Sequence, residues 1–203
     1  MMETMDSRDV VPDSVRLPLR FDVRRLREDL ARIAPEEWVA HFNTRTYEGE
    51  WSGVALRAVG GVAGRLYPDP AASEPFADTP LLERCPGVRE VLSAFACRLE
   101  SVRFLKLAAG ARIREHRDYR LGYEDGEVRL HVPVVTHESV GFFVSGQRVL
   151  MREGECWYVN VNQPHRVDNT GEVDRIHLVL DCVLDDWLRE LFARAMREAA
   201  DAA

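Results

Sequence analysis

Apolar and polar residues alternate in short runs along the second half of the chain, from about residue 102 onward. Alternation with a period of two places successive side chains on opposite faces of a β-strand. Six runs have this character: residues 102–108, 128–135, 141–144, 148–151, 155–161 and 175–180. Turn signals that contain glycine separate them, for example Asp125-Gly126 and Ser145-Gly146. Short strands at this spacing predict an antiparallel sandwich or barrel.

The first half of the chain has a helical and loop-rich pattern instead. After the candidate N-cap Asp22, apolar residues recur at helical spacing at Val23, Leu26, Leu30 and Ile33. Residues 35–41 predict a second short helix that opens on a proline, and residues 51–59 predict a strand. Residues 60–80 are rich in Gly, Pro, Ala and Asp and predict a long loop, which we take as a candidate lid. Residues 81–97 predict a helix interrupted near Pro86.

We expect one domain over residues 1–203, because the length and the 46% apolar content suffice for a sizeable core. Residues 1–20 form an arm or edge strand, residues 22–97 a flank of helices and loops, and residues 102–181 the β-rich core. An amphipathic helix over residues 184–200, capped by Asp185 or Asp186, completes the domain.

Composition excludes several classes of partner. The formal net charge is −7 and the sequence has no basic block, so we expect no nucleic acid partner. We also expect no membrane partner and a cytoplasmic location, since no apolar run approaches the length of a membrane span and the first twelve residues do not read as a signal peptide. The four cysteines form no C-x-x-C pair, and we interpret Cys156 and Cys182 as buried free thiols. The sequence gives no oligomeric state.

Two histidines and an aspartate form the candidate metal site. His116 and Asp118 stand two residues apart, so both side chains at the end of a strand can reach one metal ion. His165 follows about fifty residues later, after a proline at a strand–turn junction. Two imidazoles and one carboxylate suit iron(II) and leave one face of the ion open, although the same set also suits zinc. We assign His116, Asp118 and His165 as metal ligands and catalytic residues.

Two later strands each carry an arginine and a histidine on one face. Arg175 shares a face with His177 and Val179, and Arg129 shares one with His131. If these faces point into the barrel, the charges need an anionic partner, because an unpaired buried charge is costly. A dicarboxylate co-substrate would supply that partner through a two-pronged hydrogen bond to Arg175.

Other interpretations of these charged faces remain open. The faces can point to solvent instead, or Arg175 can pair with a protein carboxylate such as Asp174 or Asp181. For Arg129 and His177 the choice between ligand contact and a structural role is not made by the sequence.

These residues resemble the aspartyl/asparaginyl β-hydroxylase family of iron(II)- and 2-oxoglutarate-dependent oxygenases. The matching stretches are H-R-D-Y at 116–119, R-L-H-V-P-V at 129–134, R-E-G-E-C-W-Y-V-N at 152–160, P-H-R-V-D-N at 164–169 and R-I-H-L-V-L-D at 175–181. The resemblance extends over about residues 38–181 and includes E-G-E-W-S-G-V-A-L at 48–56. It implies a mainly β fold with flanking helices: a double-stranded β-helix, or cupin-like jelly roll.

The resemblance also implies roles for individual residues. His116, Asp118 and His165 match the iron ligands, and Arg175 matches the arginine that holds the distal carboxylate of 2-oxoglutarate. His131 matches a contact of 2-oxoglutarate near the metal, and Arg129 matches its neighbour in the pocket. The implied cofactors are therefore Fe(II) and the co-substrate 2-oxoglutarate.

Two departures from the family pattern bear on the substrate. Members that act on protein domains lack the carboxylate ligand, whereas this chain has Asp118, and they offer 2-oxoglutarate a serine where this chain has Leu105. In both respects the chain is similar to the bacterial branch that includes cis-4-hydroxylases of free proline.

The resulting hypothesis is a dioxygenase that uses O2 to hydroxylate an unactivated C–H bond of an amino acid, a peptide or an aminoacyl side chain, with release of succinate and CO2. Two alternatives stay open. One is a cupin-like metalloenzyme that does not use 2-oxoglutarate, and the other is a non-catalytic barrel that senses a metal or a small acid.

Overall fold

The computed structural model describes residues 11–67 and 73–201. Its strands are β1 (Ser14–Arg20), β2 (Val39–Ala40), β3 (Tyr47–Glu48), β4 (Trp51–Val59), β5 (Phe76–Asp78), β6 (Leu99–Leu107), β7 (Arg112–His116), β8 (Glu127–Val135), β9 (Val140–Val144), β10 (Gln147–Val149), β11 (Glu155–Val159), β12 (His165–Asn169) and β13 (Arg175–Val183). Its helices are α1 (Val23–Leu30), α2 (Pro80–Glu83), α3 (Pro86–Ser93) and α4 (Asp186–Asp201).

The strands form two antiparallel sheets. The larger sheet has the order β1-β11-β8-β13-β6-β4-β2, with β5 paired to β4, and the smaller sheet has the order β10-β9-β12-β7-β3. Apart from the pairs β4–β5 and β9–β10, neighbouring strands are not consecutive along the chain, as in a jelly roll rather than in a simple meander. The expected mainly β fold with flanking helices is confirmed.

Alternation along β13 explains how one strand serves both the core and a cavity. Leu178 and Leu180 are fully buried in the main apolar core, where α4 contributes Leu188 and Phe192. The opposite face of the strand carries polar side chains that are also buried, including Arg175. One face of the sheet therefore packs against helices in the apolar core, and the other face lines the polar cavity described below.

Both predicted helix caps form. The backbone N–H of Arg24 donates to Asp22 Oδ1 over 2.9 Å at the start of α1. At the start of α4 the backbone N–H of Leu188 donates to Asp185 Oδ1 over 2.9 Å, so Asp185 rather than Asp186 is the capping carboxylate. Each carboxylate accepts from a backbone N–H that the helix itself leaves without a partner.

The helix predicted over residues 35–41 is wrong beyond its first turn. Pro35–Glu37 forms a single 3-10 turn, after which Trp38 is extended and β2 pairs with β4. The backbone N–H of His41 then donates to Trp51 O over 2.8 Å. Sheet hydrogen bonds therefore replace those of a helix too short to be stable by itself.

Parts of two further predictions lie outside the described residues. In the candidate lid over residues 60–80, β5 pairs with β4 rather than remaining a loop, and residues 68–72 lie outside the described ranges. Of the expected arm over residues 1–20, residues 11–20 include β1, an edge strand that pairs with β11.

Within the described ranges, none of the helices is both long and apolar enough to cross a membrane. All four cysteines are buried free thiols.

Candidate active site

The two candidate imidazole ligands are brought together by strand pairing. His116 ends β7 and His165 begins β12, and the antiparallel register places these two residues directly opposite each other. Asp118 follows β7 and is held by its backbone N–H, which donates to Val161 O over 2.9 Å. One ligand atom from each of the three residues lies within 4.8 Å of the other two. The sequence-predicted triad is therefore a single cluster.

Hydrogen bonds fix both imidazoles in the tautomer that a metal needs. His116 Nδ1 lies 2.8 Å from Arg114 O, and His165 Nδ1 lies 3.0 Å from Gln163 O. A carbonyl oxygen only accepts, so Nδ1 carries a proton in each ring, and in the neutral form of the ring Nε2 keeps its lone pair. Burial, reinforced by the neighbouring His116, lowers the pKa of His165 to about 4. The neutral ring with a free Nε2 is the form that binds metal ions.

Asp118 is oriented from behind by an arginine. Arg129 Nη1 donates to Asp118 Oδ2 over 2.5 Å, and the same guanidinium reaches Asp181 Oδ1 and Oδ2 over 2.7 and 3.1 Å. Arg103 adds a third hydrogen bond to Asp181 over 3.0 Å. Arg129 was predicted to line the co-substrate pocket, and the structure places it in a chain of charges that supports the candidate metal ligand.

The pKa values of the two carboxylates follow from these contacts. Burial works against ionisation of Asp118, but Arg129 and the neighbouring histidines outweigh it and lower its pKa. Burial also opposes ionisation of Asp181, and Arg103 and Arg129 nevertheless lower its pKa to about 2. Both groups are therefore carboxylates at neutral pH, and Asp118 is ready to act as an anionic ligand.

Arg175 lies in the same cavity without a carboxylate partner among the described residues. Its side chain is buried, with 2% exposure, and burial lowers its pKa to about 9. Nη2 donates to His177 Nδ1 over 2.7 Å, and Nε has no hydrogen-bond partner within the described part of the chain. Asp174 accepts from the backbone N–H of Ala109 instead of pairing with this arginine.

His131 lines the same cavity as the candidate metal ligands and Arg175. It is 4% exposed, and neither ring nitrogen has a partner among the described residues. Burial, followed by the charges of Arg175 and Arg129, lowers its pKa well below the usual value for histidine. All six sequence-predicted site residues line one cavity of about 450 Å³: Arg129, His116, Asp118, His131, His165 and Arg175. This volume is within the range of pockets that hold small organic ligands.

Arg103 is a candidate functional residue that the sequence analysis missed. It is fully buried on β6, lines the cavity, and has no partner for Nε or Nη2 among the described residues. Its signal was an arginine in the middle of an apolar strand, where it shares a face with Leu105. Strand pairing places it opposite Val179, on the inner face of the large sheet.

An aromatic wall is the second feature that the sequence did not reveal. The rings of His41 and Trp51 stack with centroids 3.6 Å apart, and Tyr67 packs edge-on against His41 at 4.7 Å. Burial lowers the pKa of His41 to about 4 and raises that of Tyr67 to about 12, so both groups are neutral at pH 7. Trp51 Nε1 and the Tyr67 hydroxyl have no partner among the described residues, which leaves two polar atoms at this wall.

Comparison with solved structures defines the class of fold. The chain matches a Burkholderia pseudomallei oxidoreductase of the 2OG-Fe(II) oxygenase family with a TM-score of 0.58, at 14% identity over 86% of each chain. It also matches the non-heme alpha-ketoglutarate-dependent carbocyclase SnoK from nogalamycin biosynthesis with a TM-score of 0.57, at 12% identity over 85% of this chain and 80% of the other. These likenesses establish the double-stranded β-helix fold and nothing further.

The sequence determines the family. The family model for aspartyl/asparaginyl beta-hydroxylases matches residues 20–184, and the chain belongs to that family. A curated relative, L-proline cis-3-hydroxylase 1 of Streptomyces sp, is 29% identical over 185 residues, or 87% of this chain. The chain spans 63% of the length of that relative. The family resemblance seen in the motifs is confirmed, and this relative is named for hydroxylation at position 3 of proline rather than position 4.

Proposed function

We propose that this protein is an Fe(II)- and 2-oxoglutarate-dependent hydroxylase that acts on a small substrate with an amino acid carboxylate. One observation carries the proposal: a pre-formed triad of His116, Asp118 and His165 shares a single cavity with the buried Arg175, which has no carboxylate partner among the described residues. Many enzymes have a metal site, whereas a buried arginine beside that site favours an acidic co-substrate.

The donor set of the triad fits iron(II). Two neutral Nε2 atoms and one carboxylate oxygen can occupy one face of an octahedral ion and leave the opposite face for other ligands. His116 and His165 are held by backbone carbonyls, and Asp118 is held by Arg129, so all three ligands are oriented before a metal arrives.

Arg175 and His131 fit an acidic co-substrate. A buried guanidinium without a carboxylate partner is unfavourable, and a bound carboxylate would remove that cost through a charge-assisted, two-pronged contact. His131, which lines the same cavity, would offer one ring N–H to an oxygen of the same ligand, since both of its nitrogens lack partners among the described residues.

The charges in the cavity support this set of ligands. Three arginines, Arg103, Arg129 and Arg175, face two carboxylates, Asp118 and Asp181, which leaves one positive charge. A divalent iron raises the total to three, and a dianionic co-substrate lowers it to one, which favours a substrate carboxylate in the same cavity. The rim carries two glutamates and two arginines, which cancel: Glu100, Glu127, Arg117 and Arg120.

The substrate carboxylate has its own candidate anchor. Arg103 uses Nη1 for both Asp181 and Ser101, and its Nε and Nη2 have no partner within the described part of the chain, so these two N–H groups form a fork that matches a carboxylate. Trp51 and Tyr67 would enclose the apolar part of the substrate and offer two further polar atoms. A free amino acid meets these requirements, in keeping with the name of the Streptomyces relative.

The iron would supply the oxidation, in which O2 and 2-oxoglutarate convert C–H into C–OH with release of succinate and CO2. The protein supplies orientation and a shielded site. Arg175 binds the distal carboxylate of the co-substrate and Arg103 binds the carboxylate of the substrate. Arg129 keeps Asp118 ionised and directed at the metal, while the aromatic wall limits the access of water.

The test is an anaerobic titration of the metal-free protein with iron(II) and then 2-oxoglutarate, which follows the visible charge-transfer band of the chelated co-substrate. We expect the band with the wild type, a weaker band with Arg175→Lys, and none with Arg175→Ala at the same co-substrate concentration. Arg189→Ala, an exposed arginine of α4, is the matched control and should behave as the wild type.

Substrate class is tested by succinate formation in air with a panel of free amino acids, beginning with L-proline. Arg103→Gln should raise the KM of an accepted amino acid, while co-substrate binding is retained. Confirmed iron binding without the charge-transfer band would contradict the proposal and favour a metalloenzyme that does not use 2-oxoglutarate. Band formation without succinate across the panel would instead reject free amino acids as substrates.

A further inference from the structure

His177 makes the closest polar contact of Arg175. The two residues are separated by one position on β13 and therefore share the inner face of the sheet. His177 is 2% exposed, and its Nδ1 lies 2.7 Å from Arg175 Nη2. This histidine was left without a role by the sequence and is not a member of the metal triad.

The chemistry of the pair fixes the state of the imidazole. A guanidinium has only donors, so His177 Nδ1 must accept and the ring proton must lie on Nε2. A second proton on the ring would place two buried cations in contact, and burial together with Arg175 lowers the pKa of His177 well below its usual value. The partner of Arg175 is therefore a neutral acceptor.

The other arginines of the cavity have a different kind of partner. Arg103 shares the carboxylate of Asp181, and Arg129 binds both Asp118 and Asp181. Those guanidinium charges are largely compensated by carboxylates within the protein. Of these three buried arginines, Arg175 alone has no carboxylate partner among the described residues, and its hydrogen bond goes to a neutral imidazole.

We propose that His177 is a positioning residue that directs Arg175 toward the distal carboxylate of the co-substrate while leaving its positive charge available. This inference rests on the proposed function. A neutral acceptor fixes a long side chain before the ligand arrives, which reduces the entropy lost on binding. A carboxylate at the same place would fix the side chain equally well but would compensate the charge that attracts the dianion.

The other ring nitrogen of His177, Nε2, has no hydrogen-bond partner among the described residues. The two nitrogens of an imidazole point in divergent directions, so Nε2 faces away from Arg175. The ring also lines a separate cavity of about 590 Å³. Because Nε2 makes no hydrogen bond among the described residues, loss of its N–H group is tolerable, whereas loss of the Nδ1 acceptor is not.

Three substitutions separate orientation from charge. His177→Asn keeps a neutral acceptor on Cγ at the place of Nδ1, and His177→Asp has the same shape with a negative charge. His177→Phe keeps the ring and removes the acceptor. Calorimetry measures the binding of 2-oxoglutarate to each protein loaded with manganese(II), which is stable in air, and manganese binding itself is the control. Nitrogen-15 NMR of the wild type reports the ring tautomer directly and does not depend on any variant.

We expect the Asn variant to bind within about threefold of the wild type and the Phe variant to bind more weakly than Asn. The Asp variant should lose roughly tenfold to a hundredfold, the range for one contact to a charged group. NMR should show a neutral ring with its proton on Nε2. Equal affinities of the Asn and Asp variants, or a proton on Nδ1, would overturn the inference while the proposed function stands. Absence of 2-oxoglutarate binding in the wild type would overturn both.

Discussion

Arg103, Arg129, Asp118 and Asp181 form an ion network that supports the candidate metal triad, and replacing Asp181 with asparagine tests it. The side chain keeps its shape and loses its charge, so Arg103 and Arg129 lose the carboxylate that they share. Asp118, which has one-third of its side chain exposed, is the other anion of the cavity near them. Removing one partner of a buried ion pair costs about 3–5 kcal/mol, because an uncompensated charge stays behind.

The pKa of Asp181 gives an independent, smaller estimate and a pH signature. Its folded-state pKa of about 2 lies below the usual value of 3.8, and this difference corresponds to roughly 2 kcal/mol of stability at neutral pH. Because the folded-state pKa is the lower one, this stability is fully present above about pH 4 and disappears as the pH falls toward 2. The estimate for the whole ion network is larger than the estimate from the pKa of Asp181, because it includes the cost of the buried arginine charges that lose their carboxylate partner.

Urea unfolding, followed by circular dichroism between pH 3 and 7, measures the difference in free energy of unfolding between the wild type and Asp181→Asn. We expect a difference of about 3–5 kcal/mol at pH 7 that shrinks as the pH is lowered below 4. A difference under about 1 kcal/mol at pH 7, the value typical of an exposed ion pair, would refute the reasoning. A difference that stays constant with pH would refute the assignment of Asp181 as the ionised centre.

Three further predictions follow from the site and the fold. His116→Ala should abolish 2-oxoglutarate turnover with an unchanged far-ultraviolet circular dichroism spectrum; turnover retained in the variant would contradict the ligand assignment. A chelator should stop succinate formation and lower the melting temperature, and added iron(II) should restore both, since a metal at 100 times its Kd stabilises the folded state by about 2.7 kcal/mol. Gly154→Ala should destabilise the fold by at least about 1 kcal/mol more than the control Gly126→Ala. Both glycines have positive φ, but an added Cβ would lie 2.5 Å from Phe21 O at Gly154 and would meet no atom within 4 Å at Gly126. Equal urea midpoints of the two variants would contradict this contact.

The clustering of the candidate metal triad was predictable because its signal is local and chemical. His116 and Asp118 are two residues apart at the end of one strand, and His165 follows a proline, so residue type and spacing suffice to name them. The strand from residue 51 to 59 and the cap at Asp22 were predictable for the same reason. In each case the structure depends on residues close together in sequence: strand alternation repeats every two residues, and a helix cap is one hydrogen bond from a side chain to a nearby backbone N–H.

Partners of the charged side chains were not predictable in the same way. The sequence left open whether Arg175 pairs with Asp174, with Asp181 or with a ligand, and strand pairing across the large sheet assigns Asp181 to Arg103 and Arg129 instead. Arg103 itself went unnoticed because its importance depends on its position opposite Val179 and on burial, neither of which has a local signature.

The sequence by itself determined the fold class, the family and the identity of the candidate ligands, because periodicity and residue chemistry act over short distances along the chain. Only the tertiary structure decided which arginine and carboxylate side chains form contacts with each other. Distances between side chains from β6, β8 and β13 depend on the register of strands that are far apart in sequence, and electrostatic and hydrogen-bond energies change steeply with those distances. The difference between a compensated Arg129 and an available Arg175 is therefore a property of the folded sheet.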